Sequence, residues 1–347
     1  MGYASCVTNA REGNHRDTLV SIITPVLNRV NSIEAVLTSV AAQSYRPIEH
    51  VIIDGGSTDG TVEAIKRFSK SAPWVRWISE PDSGMYEAIQ KGIRLAKGDI
   101  FAYINSDDLY FPWSVEVVVD RLRRGCDFVF GDVAIIAKND VSISFDLQFY
   151  RDFDARYYTH HGILAQPTVF WTRAAGDAVG AFDEDRRLLG DVDYWTRAAR
   201  AGLRFCRLDE VLALVILHPD ALSVRFANQM QQELDSIRSA NRTSYRPRSR
   251  VVVRLAESIH WRTRQFAFRM DARRERPRKW PRFIRLLRRL DVHVGGNAIL
   301  LLILPGRFFR NRPTLQRTLN SPEEFHRRYL ASIGVVPDVV QRPPKGQ

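Results

Sequence analysis

Val51-Ile52-Ile53-Asp54-Gly55-Gly56-Ser57-Thr58-Asp59-Gly60-Thr61 is the stretch that decides the fold. Three consecutive β-branched residues read as a short buried strand, and Asp54-Gly55-Gly56 breaks it. A helix is expected from about Thr61, with Val62, Ile65 and Phe68 on one side. The same unit recurs upstream. Leu19-Val20-Ser21-Ile22-Ile23-Thr24 is a β-branched run ended by Pro25. Asn31 is expected to cap the next helix, with Glu34 as its capping-box partner. Ile33, Val36, Leu37 and Val40 then recur at helical spacing. Downstream, residues 74–78 read as a third strand. Residues 85–96 read as a helix with Ile89 and Ile93 inward and Gly98 as its C-cap. Residues 100–104 are a fourth strand, 115–122 a helix and 128–130 another strand. This alternation predicts an α/β fold: a Rossmann-like, mostly parallel sheet with helices on both faces.

Ligands of such sheets bind beyond the carboxyl ends of the strands. Strand one ends in Thr24-Pro25 and strand two in Asp54 to Thr61. Strand three leads to Glu80-Pro81-Asp82-Ser83-Gly84, and strand four ends in Asn105-Ser106-Asp107-Asp108. Each such turn is ordinary on its own, since Asp, Gly and Ser favour turns. Four at one sheet edge predict an acidic, oxygen-rich rim suited to Mg²⁺ or Mn²⁺. Such an ion would bridge the phosphates of a diphosphate and offset its charge as it leaves. The glycine-rich turn after strand two lacks the GK[ST] ending of a P-loop, and no GxGxxG opens a helix after strand one. The second absence argues against a nicotinamide-dependent oxidoreductase.

These pieces, in this order, resemble family 2 of the glycosyltransferases, which have a GT-A fold. The resemblance runs over roughly residues 19–220. It includes Asp82-Ser83-Gly84-Met85-Tyr86-Glu87-Ala88, Lys97-Gly98-Asp99 and Asn105-Ser106-Asp107-Asp108. It continues through Gln166-Pro167-Thr168-Val169-Phe170, which looks like an acceptor-side strand, and Gly190-Asp191-Val192-Asp193-Tyr194-Trp195, which looks like a catalytic-base motif. The resemblance implies an inverting, metal-dependent transfer of a sugar from a nucleotide-diphosphate donor to an acceptor hydroxyl. Thr24, Pro25, Asp54, Ser57, Asp82, Asn105 and Ser106 would bind the donor, Asp107 and Asp108 the metal. Asp191 would be the general base, which must be ionised and within reach of the hydroxyl. Its expected place at a helix N-terminus favours the charged form. The chain departs from the family pattern at three places. Asn105 replaces the first Asp of the DxD motif, Gly55 replaces a second acid after strand two, and Gly190 stands where Glu is frequent. The alternative to an enzyme is a GT-A-fold binding or scaffold protein without activity. Asp193, His160, His161 and His218 are secondary candidates for the site, while Trp171 and Trp195 are expected to pack in the core.

The chain has 347 residues and a formal net charge of +12. Residues 241–347 hold 25 Lys+Arg against 7 Asp+Glu, a net of +18, so residues 1–240 carry a net of −6. Basicity therefore belongs to a C-terminal segment. Between residues 242 and 289 arginines interleave with Trp261, Phe266, Phe268, Trp280 and Phe283. A segment such as Arg282 to Arg289 suits an anionic leaflet, where each basic residue contributes about 1 kcal/mol. No nucleic-acid-binding motif accompanies the charge, so nucleic acid is not an expected partner. A glycan or lipid-linked acceptor used in surface polysaccharide or glycolipid synthesis accounts for both features. The longest apolar run, Ala298 to Leu304, is far short of the roughly 20 residues of a spanning helix.

No apolar leader opens the chain, and Cys6, Cys126 and Cys206 fit no paired spacing. An odd count read this way predicts three isolated reduced thiols and a cytoplasmic protein, and the basic segment predicts peripheral attachment at the inner face of the cell membrane. The organisation expected is a flexible stretch over 1–18 and a catalytic domain over 19–225. That domain divides into a nucleotide-sugar half at 19–132 and an acceptor half at 133–225. A basic, mostly helical extension follows over 226–347.

Overall fold

Val20–Val26 (β1), Ile33–Ala41 (α1), Ile48–Asp54 (β2), Thr61–Ser69 (α2), Val75–Ser79 (β3), Met85–Leu95 (α3) and Ile100–Tyr103 (β4) alternate as the hydrophobic pattern predicts. The computed structural model describes residues 18–138, 143–148, 164–217 and 221–241, together with residues 153, 155 and 158. The N-terminal stretch, His160, His161, His218 and the basic segment beyond residue 241 lie outside these.

β1 pairs in parallel with β2 and β4, and β2 with β3. Side chains alternate between the faces of β2. Ile52 is buried with Ile33 and Leu37 of α1 and Ala64 and Ile65 of α2. Val51 and Ile53 join the main core with Ile23 and Ile89 of α3. Full burial of each such aliphatic side chain contributes about 1.5–3 kcal/mol. Pro25 costs the ladder nothing. The Ile23 carbonyl accepts from the Ile104 amide on the β4 side. Pro25, two residues on, turns its nitrogen to that same side, past the last β1–β4 pair at Tyr103.

The second half is mixed. After Leu109–Tyr110 (β5) and Ser114–Arg123 (α4) come Phe128–Lys138 (β6), Ile143–Gln148 (β7), Phe170–Thr172 (β8), Arg173–Val179 (α5), Gly190–Arg200 (α6) and Phe205–Leu217 (β9). Leu222–Arg225 (α7) and Ala227–Ala240 (α8) close the described chain. The sheet order is β3-β2-β1-β4-β8-β6-β9-β5, with β7 on β6. β8 runs antiparallel to β4 and β6, so the expectation of a mostly parallel sheet describes the first four strands. Trp171 and Trp195 are fully buried and meet edge to face at 5.3 Å, as core residues.

Three local expectations are corrected. Asn31 is not a cap: α1 starts after Ser32, with no side-chain capping bond. The Ser32 hydroxyl instead donates to the Ser106 carbonyl at 2.7 Å. Gly98 is not a left-handed helix end, since α3 ends at Leu95 with an extended Ala96. Glycine is needed at 98 because a Cβ there would lie 2.4 Å from Ser21 Oγ and 2.8 Å from the Leu19 carbonyl. Cys126 and Cys206 are not isolated thiols but form a buried disulfide, 80 residues apart in the chain. The parallel β6–β9 pairing begins with Phe128 opposite Phe205, and Cys126, two residues before β6, comes within 6.0 Å of Cys206, Cα to Cα. No sequence spacing encodes that register. Among the described residues no helix is long and apolar enough to cross a membrane.

Candidate active site

The loop after β2 is organised by its own first residue. The Asp54 carboxylate is buried and accepts from the Gly56 amide (3.0 Å), the Ser57 amide (2.9 Å), the Ser57 hydroxyl (2.5 Å) and the Ser79 hydroxyl of β3 (2.7 Å). Asp54 therefore shapes the loop and carries its charge beneath it. Ser57 also accepts from the Asn28 amide, and Asp59 from the Val30 amide, tying this loop to the one after β1. Thr24 and Pro25 lie buried at the end of β1, with the Thr24 hydroxyl 2.8 Å from His50 Nε2. Burial drives the His50 pKa down to about 3, so the ring is neutral. Gly55 lies close to Asp82: a Cβ there would sit 2.8 Å from Asp82 Oδ2, the movable end of that side chain. Asp82 thus brings a carboxylate beside Gly55. Burial raises its pKa, against the hydrogen bond it accepts from the Gly84 amide.

The turn after β4 separates its two acids. Asp108 is buried and accepts from Asn105 Nδ2 at 3.2 Å, and desolvation followed by the neighbouring Asp107 holds its pKa well above the carboxylate range. Asp107 is the more open of the pair. Asn105 also donates to Gln166 Oε1 (3.1 Å), and Gln166 donates to the Tyr103 carbonyl (2.7 Å). Gln166 lies in a single 3-10 turn, Gln166–Thr168, ahead of β8. Ser106 is held through its carbonyl by Ser32.

Asp191 sits in the first turn of α6. Its Oδ1 accepts from the Val192 amide at 2.8 Å and from the Tyr86 hydroxyl of α3 at 3.2 Å. Desolvation is the largest influence and raises its pKa from 3.8 to about 6, while these two hydrogen bonds pull the other way. Such a carboxyl is still ionised near neutrality, and is a stronger base than an ordinary aspartate. Asp193, the secondary candidate two residues on, faces away from solvent. It is buried and pairs with Arg197 Nε at 2.8 Å.

The loops form one connected set. Asp54 bonds Ser79, Gly55 abuts Asp82, and α3 begins just after Asp82-Ser83-Gly84 and delivers Tyr86 to Asp191. Ser32 and Gln166 attach the 105–108 turn to the same edge. Three residues of this set were given no site role by the sequence: Tyr86 and Gln166, which lie within the quoted motifs, and Glu233. Glu233 lies on α8, within the stretch expected to be an appendage. It accepts from the Leu188 and Leu189 amides, each at 3.1 Å, while Ile237 packs beside Leu189 and Val192. Two free amides ahead of a helix require an anionic or polar partner, but only the fold says which residue supplies it. Among the described residues no three His, Cys, Asp or Glu side chains cluster as a ready-made metal cage.

A four-stranded parallel half, an antiparallel crossover and acidic loops at one edge define the class: this is a GT-A fold. Residues 21–183 match the Glycosyl transferase family 2, and over that span the chain carries a family 2 domain. Chondroitin synthase of Pasteurella multocida (strain Pm70) is 27% identical over 214 residues, 61% of this chain and 22% of that protein. An uncharacterized glycosyltransferase of Rickettsia typhi is 25% identical over 232 residues, 63% of this chain and 70% of its own length. Another, from Rickettsia bellii, is 33% identical over 125 residues, and the chain spans only 18% of it. Among solved structures, S. aureus TarS 1-349 in complex with UDP-GlcNAc superposes with a TM-score of 0.53 at 17% identity, covering 74% of this chain and 76% of that one. The mannosyltransferase PcManGT from Pyrobaculum calidifontis, in complex with GDP-Man and Mn²⁺, gives 0.50 at 18% identity, covering 89% and 87%. At these identities the likeness is one of fold.

Proposed function

We propose that the chain is an inverting glycosyltransferase that moves a sugar from a nucleotide-diphosphate donor to an acceptor hydroxyl. The observation that carries this reading is Asp191. It is a carboxylate at a helix start, tuned to about 6 and bonded to the helix that leaves the donor-side loops. The residues after β1, β2 and β4 would hold the nucleotide and diphosphate, with Asp54 acting by shaping its loop. Asp191 would take the proton of the acceptor hydroxyl as that oxygen attacks the anomeric carbon opposite the diphosphate. One displacement of this kind inverts the anomeric configuration.

The donor set suits Mg²⁺ or Mn²⁺ completed by substrate. Mg²⁺ is commonly held by one or two carboxylates, several waters and substrate phosphates. Asp107, the more exposed carboxylate of its turn, would hold the ion; Asp108, buried and raised in pKa, would support the turn from below. When bound, the metal offsets charge on the departing diphosphate.

The acceptor is proposed to be a glycan or lipid-linked molecule of surface polysaccharide or glycolipid synthesis, met by a protein lying against an anionic membrane face. Support for this is the net +18 of residues 241–347 beside a net −6 in the rest. A screen of UDP-, GDP- and dTDP-sugars with Mn²⁺, read as released nucleoside diphosphate, tests the function. Turnover is expected with one donor class and is expected to vanish in Asp191→Asn, which still binds that donor by calorimetry. Undiminished turnover in the variant would remove Asp191 from its role.

A further inference from the structure

Tyr86 carries the one side-chain hydrogen bond to Asp191 among the described residues. Its hydroxyl lies 3.2 Å from Asp191 Oδ1 and 3.2 Å from the Leu188 carbonyl, so its single proton is shared between them. Both bonds accepted by Asp191 fall on Oδ1; Oδ2 accepts none from the described residues and is not sealed from solvent. The phenol ring is itself fixed. It is almost fully buried and stacks on Phe182 with ring centroids 5.9 Å apart. It also lies flat against Gly190: a Cβ on that residue would fall 2.8 Å from the ring carbons. The absence of a side chain at 190 is therefore the space through which Tyr86 reaches the carboxylate.

We infer that Tyr86 is a positioning residue that holds Asp191 Oδ1 and leaves Oδ2 as the oxygen presented to the acceptor hydroxyl. The inference rests on the reading of Asp191 as the base. It also links the two substrates. Tyr86 stands in the first turn of α3, two residues after Gly84, whose amide is bonded by Asp82. Asp82 in turn packs on Gly55 of the donor-side loop. A continuous set of contacts thus joins that loop to the phenol and the base. The other titratable groups facing Asp191 are Tyr103 of β4, Tyr158 and Glu233 of α8. None of them bonds it. Glu233 is committed to two backbone amides, and Arg187, nearby in the chain, reaches the Ser83 carbonyl.

Tyr86→Phe retains the ring, its stacking and its place against Gly190, and removes only the hydroxyl. One lost hydrogen bond to a charged acceptor predicts a fall in kcat of about tenfold or more. The acid limb of the pH profile is expected to move up by about one unit, because the lost bond lowered the pKa of Asp191. Donor KM should stay within about twofold. A purely structural tyrosine would leave the limb where it is. Gly190→Ala, which pushes on the ring, is expected to reproduce the limb shift while Tyr86 is present and to add little to Tyr86→Phe. Asp191→Asn is assayed alongside. If Asp191→Asn is inactive but Tyr86→Phe keeps the wild-type kcat and limb, the inference is overturned and the base assignment stands. If Asp191→Asn turns over like wild type, the base assignment itself is lost.

Discussion

Replacing Asp191 by Asn is expected to make the protein more stable while it abolishes turnover. Asn keeps an oxygen where Oδ1 accepts from the Val192 amide and the Tyr86 hydroxyl, and puts its NH₂ where Oδ2 accepts nothing from the described residues. What changes is the charge. Burial raises the pKa from 3.8 to about 6, and at 1.36 kcal/mol per unit this amounts to about 3 kcal/mol of penalty for carrying the ionised group in the fold. That is an upper bound, because the carboxyl keeps some contact with water. The sign follows from proton uptake. Between pH 3.8 and about 6 the native state holds a proton that the unfolded chain has released. Stability therefore falls as pH rises through that window, and the whole penalty is present above it. Urea unfolding followed by tryptophan fluorescence at a series of pH values measures this directly. Asp191→Asn should match wild type near pH 4 and exceed it by about 2–3 kcal/mol at pH 7.5. Curves that stay parallel across pH, or a variant weaker than wild type at pH 7.5, would refute the picture of a desolvated carboxylate held for chemistry.

Three further outcomes are expected. Reduction of the Cys126–Cys206 disulfide should lower the urea midpoint, because it frees an 80-residue loop in the unfolded chain, a loss of roughly 4 kcal/mol on the loop-entropy account; an unchanged midpoint with verified free thiols would contradict the bridge. Arg207→Met should cost about 3–5 kcal/mol, since it removes the buried guanidinium that bonds the buried Asp132 carboxylate at 2.9 and 3.1 Å; calorimetric unfolding of the variant checks it. Asp107→Ala should bind the donor equally with and without Mn²⁺ by calorimetry, and a persisting Mn²⁺ enhancement would place the metal elsewhere.

The alternation from β1 to β4 was legible because each strand and helix announces itself within ten residues: Ile52 and Ile33 need no distant information to be apolar at the right period. The carboxyl-edge loops were legible for the same reason, since strand polarity in a parallel sheet puts every strand end on one side. What could not be read depends on pairing across the chain. The Cys126–Cys206 bridge follows from the β6–β9 register, and the Tyr86–Asp191 bond joins residues 105 apart. Gly190 looked like a missing acid until the Tyr86 ring was found against it. Ser32 outranks Asn31 only because Ser106 comes within reach of its hydroxyl. The burial of Asp108 and its bond from Asn105 are likewise unmarked in the sequence. Side-chain type identified the chemistry available at the edge; packing decided which groups keep it.

The stereochemistry of the transferred sugar tests the account most directly. With a turned-over donor and its acceptor in hand, the anomeric proton coupling in the NMR spectrum of the product is compared with that of the donor. A single displacement assisted by Asp191 predicts the opposite anomeric configuration. A product that keeps the configuration of the donor would contradict it.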